Sequence, residues 1–114
     1  MNKYTGLSDF EINKKIFHAA KIKHKYFRFL PNGVITYNVK GKYQVFDPCN
    51  NPADAMPIII DNNISLRAPT ITDRWKAEFI DEYGNCVGYR RALNKNPLRA
   101  AMELFLLMKD AENE

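Results

Sequence analysis

A chain of 114 residues, 46% apolar and 26% charged, has the size of one domain, because two cores cut from it would be too small to stand alone. These fractions exclude wholesale disorder, and no apolar run approaches the roughly 18 residues of a membrane span. The net charge of +4 is unevenly placed: residues 1–45 hold nine Lys/Arg against two acids, a net +7, whereas residues 46–114 carry a net −3.

Such asymmetry reads as a basic binding face, as two halves that attract each other, or as plain solubility. The start, Met1-Asn2-Lys3-Tyr4-Thr5-Gly6, leads into no apolar signal region, so cytoplasmic residence is expected. Cys49 and Cys86 are then free thiols. Neither a Cys-x-x-Cys nor a His-x-x-x-His accompanies them, so no metal and no cofactor is expected.

In chain order, the first element is a helix. Ser8 is its N-cap and Glu11 completes a capping box, with Leu7 and Ile12 in the staple positions. Ile12, Ile16, Ala19 and Ala20 form its apolar stripe, Asn13, Lys14, Lys15 and Lys21 face away, and it ends near Lys21. Tyr26-Phe27-Arg28-Phe29-Leu30 changes the period to that of a strand. Pro31-Asn32-Gly33 turns the chain into Val34-Ile35-Thr36-Tyr37-Asn38-Val39, and Lys40-Gly41-Lys42 turns it again into Tyr43-Gln44-Val45-Phe46.

Asn51 and Pro52 then cap and open a short helix, with Asp54 in its first turn. Pro57 predicts a kink or a late start. Ile58-Ile59-Ile60 is ambiguous alone, but the caps before it and Asp61-Asn62-Asn63 after it favour helix, ended by Asn63 in the left-handed region. Ile64-Ser65-Leu66-Arg67 alternates as a strand, and residues 68–74 form a loop. In the next strand Trp75, Ala77 and Phe79 share one face, Lys76 and Glu78 the other. Tyr83-Gly84-Asn85 is a turn before a strand at Cys86-Val87-Gly88-Tyr89-Arg90. Asn96-Pro97 opens a last helix with Leu98, Ala101, Met102, Phe105, Leu106 and Met108 as its apolar face, and residues 110–114 read as a solvated tail. The order α-β-β-β-α-β-β-β-α gives an α+β fold, helices packed on an antiparallel or mixed sheet.

Four blocks of this chain resemble a known family. Leu7-Ser8-Asp9-Phe10-Glu11-Ile12-Asn13, the run from Phe46-Asp47-Pro48-Cys49 to Ile58-Ile59-Ile60, Ile64-Ser65-Leu66 with Trp75-Lys76-Ala77, and Pro97-Leu98-Arg99-Ala100-Ala101-Met102 are similar to the NinX-type proteins of lambdoid bacteriophages. The middle and last blocks also resemble a broader phage group with an α-β-α sandwich domain. The likeness spans most of the chain and is weakest over residues 21–45. It implies a phage or prophage accessory protein in a bacterial host, and it brings no functional residues with it.

The residues add two candidate surfaces. Lys21-Ile22-Lys23-His24-Lys25-Tyr26-Phe27-Arg28 interleaves cations with rings, the combination that meets phosphates and stacks on bases. Arg90, Arg91, Lys95 and Arg99 form a second basic group near the last helix. The second half also shares its element order, without any motif, with double-stranded RNA-binding domains. Nucleic acid binding through Lys21, Lys23, Lys25, Arg28, Arg90, Arg91 and Arg99 is thus one reading. The other is a non-enzymatic module that binds an unidentified phage or host protein, or itself, and involves no membrane. Asp47, Asn50, Asn51 and Asp54 are expected to end a strand and cap a helix, since calcium and phosphate loops need glycines or charges absent here. Cys49 at a helix start is the one residue that would suit a nucleophile, should the helix lower its pKa.

Overall fold

The computed structural model describes residues 2–20, 27–80, 83–84 and 86–112, with the backbone alone at residues 80 and 86–90. Within them lie α1 (Asp9–Ala19), β1 (Arg28–Phe29), β2 (Ile35–Val39), β3 (Lys42–Phe46), α2 (Pro52–Asp61), β4 (Ile64–Arg67), β5 (Trp75–Ile80), β6 (Cys86–Asn94) and α3 (Pro97–Glu112). The α+β order is the one expected. The strands form two antiparallel sheets rather than one, sheet A in the order β1-β2-β3 and sheet B in the order β4-β5-β6.

Local chemistry accounts for most boundaries. The Ser8 hydroxyl accepts from the Glu11 amide and starts α1. Lys40 and Gly41 both take positive φ, 52° and 85°, which a two-residue hairpin with Val39 opposite Lys42 requires. The helix α2 begins at Pro52 and runs through Pro57, so the late start is not realised and the triple isoleucine is helical. Asn63, at φ 55°, leaves the helix as its residue type predicts.

Sheet B is covered by α3, which packs on β4, β5 and β6, and both α1 and α2 lie against α3. Small residues set the spacing: Ala100 and Ala101 of α3 and Ala77 and Ala92 of the sheet are all buried. Met102, Leu104 and Phe105 fill the space around them. Sheet A is tied to α1 by rings, Phe17 meeting Phe27 at 4.1 Å and Phe46 at 6.1 Å between centroids, edge to face.

Three expectations need correction. Asn13 does not face away from the core but is 2% exposed. The last strand continues to Asn94, because Trp75, Lys76, Ala77 and Glu78 find partners in Asn94, Leu93, Ala92 and Arg91. The tail assigned from residue 110 is still helix to Glu112. Asp110 is held there by Tyr4, whose hydroxyl donates to it at 2.5 Å, and by Lys3 at 2.9 Å. These contacts outweigh the upward push of burial and lower the Asp110 pKa below 3.8. A depressed carboxylate stabilises the fold above its unfolded pKa, and that contribution is lost as pH falls through the folded one. In Asp110→Asn, the acid-side decline of the urea midpoint below pH 3.8 should therefore be shallower than in the wild type. Tyr4→Phe should cost about 1 kcal/mol near neutral pH.

Candidate functional site

The polar turn between β3 and α2 is a structural knot. Asn51 caps α2 by accepting from the Ala53 amide at 3.0 Å. Asp54 accepts from the Asp47 amide and from the Tyr37 hydroxyl, each at 2.9 Å. Burial and then this carboxylate push the Tyr37 pKa up to about 12. The buried Asn13 side chain donates to Asp47 at 2.8 Å and accepts from the Cys49 amide at 3.3 Å. Asn96, the cap of α3, donates to the Cys49 carbonyl at 2.6 Å and to Asn50 at 3.1 Å. The turn thus joins α1, α2 and the start of α3 through side-chain amides. Among the described residues no cluster of His, Cys, Asp and Glu has the makings of a metal site.

Arg99 is an interior residue rather than part of an open basic surface. It is 6% exposed, and its guanidinium donates to Glu103 at 2.8 Å, to Asp9 at 2.6 Å and to the carbonyls of Tyr4 and Leu7 at 3.0 and 2.7 Å. Burial opposes its charge, but the two carboxylates raise its pKa further. Glu103 is itself fully buried and takes a second donor from Asn2 at 3.0 Å. Cys49 is also interior: burial, then the Asp9 carboxylate, push its thiol pKa up, the reverse of what a nucleophile needs.

Of the remaining basic candidates, Arg28 and Arg91 lie on different sheets. Lys21, Lys23 and Lys25 lie outside the described residues. Arg28 is on the outer face of sheet A, over the Tyr43 ring at 5.0 Å. Arg91 is exposed in β6 of sheet B, and Arg90 precedes it in the same strand, its side chain outside the described set.

What the fold does assemble is a groove of about 600 Å³ between sheet A and the helices. Val39, Phe46, Ile58 and Phe105 give it apolar walls, Tyr37, Asp54, Asp61, Asn62 and Lys109 its polar rim. Along one side runs α2, which is apolar on two faces. Ala55, Ile58 and Ile59 are buried, while Ala53, Met56, Pro57 and Ile60 are exposed, Ile60 by 65%. The exposed four recur at the spacing of one helix face. Their i, i+3, i+4, i+7 spacing is present in the sequence beside the inward set of Ala55, Ile58 and Ile59.

The family model for bacteriophage P22 NinX matches residues 3–109. The chain belongs to that family. No curated protein and no solved structure matches it. The span matched by the NinX family runs from Lys3, ahead of α1, through the knot and groove to Lys109 near the end of α3.

Two measurements check this account of the interior. Arg99→Leu leaves Glu103 buried without its cation and should lower the unfolding free energy by roughly 3–5 kcal/mol in urea titration; a loss below about 1 kcal/mol would contradict it. In a Cys86→Ala background, Cys49 should react with a thiol reagent only at the rate of unfolding, and fast labelling in native buffer would show the thiol to be accessible.

Proposed function

We propose that this phage protein is a non-enzymatic interaction module, acting in the cytoplasm of the host cell, that binds another protein through the outward stripe of α2 and the groove beside it. One observation carries the reading: a ten-residue helix is apolar on the face it buries and again on the face it leaves in water. A helix apolar all round is expected to be covered on all sides. Each square ångström left uncovered forgoes about 25 cal/mol. The groove gives an incoming apolar side chain somewhere to go, and its volume lies within the usual range of binding clefts.

Charge selects the kind of partner. Asp61 sits on the rim without an ion pair among the described residues, and α2 carries no cation. An apolar segment bearing a Lys or Arg complements this surface. A second copy of α2 does not, because it would bring Asp54 and Asp61 against their equivalents. The absence of enzymatic activity is supported by Cys49, buried with a raised thiol pKa, and by the polar knot, whose side chains are spent on one another.

The test uses the intact protein as bait in lysate of infected cells, followed by calorimetry of whatever it retains against the purified chain. Ile60→Glu and Asp61→Lys should each weaken that binding by about tenfold or more, as expected of central contacts. Both side chains are exposed, so circular dichroism and melting should stay as in the wild type. Equal affinity of Ile60→Glu and wild type would overturn the proposal.

A further inference from the structure

The outer face of sheet B carries a charge arrangement that neither the groove nor the fold explains. Arg67 of β4 and Lys76 of β5 are directly opposite in register. Like charges in that relation repel. Both reach to Glu78, Arg67 at 3.3 Å and Lys76 at 3.2 Å, and Glu78 is only 2% exposed although it stands on the side away from α3. Arg91 of β6 is opposite Glu78 in register, yet its side chain is exposed and makes no ion pair among the described residues. Beside it on β6, Leu93 is 42% exposed. One carboxylate therefore balances only two of the three cations spread over three adjacent strands. The face keeps a net positive charge in the half of the sequence that is negative overall.

We infer that this face binds the phosphate backbone of nucleic acid, independently of the α2 groove. A sheet face offers no main-chain donors, since its amides are spent on the ladders, so recognition there falls to side-chain charge. Evenly spaced phosphates meet three cations spread at roughly 5 Å per strand without needing a pocket. An acidic peptide would gain little from the face, because such motifs are held by Arg clusters in shaped sites or by backbone nests. Charge is what the described side chains of this face supply, so the contact proposed is to the backbone, which carries no sequence information directly. Glu78 holds Arg67 and Lys76 over the sheet, and Arg91, exposed and without an ion pair among the described residues, is the first cation to engage a phosphate.

Fluorescence anisotropy of labelled single-stranded DNA, duplex DNA and duplex RNA, titrated with the whole chain from about 50 to about 200 mM salt, tests this. A net of two positive charges, three cations less the Glu78 carboxylate, predicts a log–log salt slope of roughly −1.5 to −2. Arg91→Gln, at an exposed unpaired side chain, should fold normally, weaken binding to all three probes and make the slope shallower by about one. Arg28→Gln, on sheet A, and Ile60→Glu, on α2, should leave it unchanged. No binding at low salt overturns the inference. So does binding that survives Arg91→Gln and Arg67→Gln/Lys76→Gln but is lost in Lys21→Gln/Lys23→Gln/Lys25→Gln, which would place the phosphates on the segment after α1. Polyglutamate displacing the nucleic acid at lower charge concentration would also overturn it, in favour of an acidic protein.

Discussion

The buried guanidinium of Arg99 is the contact on which the rest of the molecule depends. It sits in the first turn of α3 and reaches the first turn of α1 through Asp9, the N-terminal segment through two carbonyls, and its own helix through Glu103. Two charges inside a protein repay their desolvation only when hydrogen bonds complete their shells. Here four of the five guanidinium donors are used, and Glu103 takes Asn2 in addition. Remove the cation and the N-terminal segment loses its anchor, α1 loses its tie to α3, and a carboxylate is left stranded in the core.

The amide knot around Asp47 and Asn96 repeats the same solution with neutral groups. Asn13, Asn50 and Asn96 each bridge elements far apart in sequence, and Asn50 and Asn96 themselves lie in a turn and at a helix cap. Helix starts come with amide donors already exposed, so short polar side chains placed there serve locally and at long range together. Around this centre lie the two surfaces proposed to meet partners, the outward stripe of α2 and the cationic face of sheet B. They are chemically opposite, one apolar with acids, the other basic.

Local grammar was readable in advance wherever a residue acts through its own backbone. Ser8, Asn51, Pro52, Lys40-Gly41, Asn63 and Asn96-Pro97 mark the ends of elements where they were expected, because caps and turns depend on neighbours within a few positions. Periodicity placed Ala77 and Phe79 against Lys76 and Glu78 correctly. What stayed hidden depends on partners far along the chain. Asn13 reads as polar and outward until Asp47 and Cys49 arrive beside it. Arg99 reads as a free cation until Asp9 and Glu103 enclose it. Asp110 reads as tail until Tyr4 reaches it. The division into two sheets is hidden for the same reason, since strand order follows pairings that composition does not encode. For the binding surfaces, the outward stripe of α2 was present in the spacing of Ala53, Met56, Pro57 and Ile60, whereas the Arg67–Lys76 pair needed the register.

The distance in sequence between the partners of Arg99 carries a consequence for the order in which the molecule is made. Asp9 and Arg99 are 90 positions apart, and Tyr4 and Asp110 are 106 apart. At synthesis rates of roughly 5–20 residues per second, the first helix waits about 5 to 20 seconds for the arginine that locks it. During that interval Ile12 and Ile16 have no α3 to lie on. The interior around Arg99 therefore closes only after residue 99 has been made, and a ribosome stalled before it holds a chain without that lock.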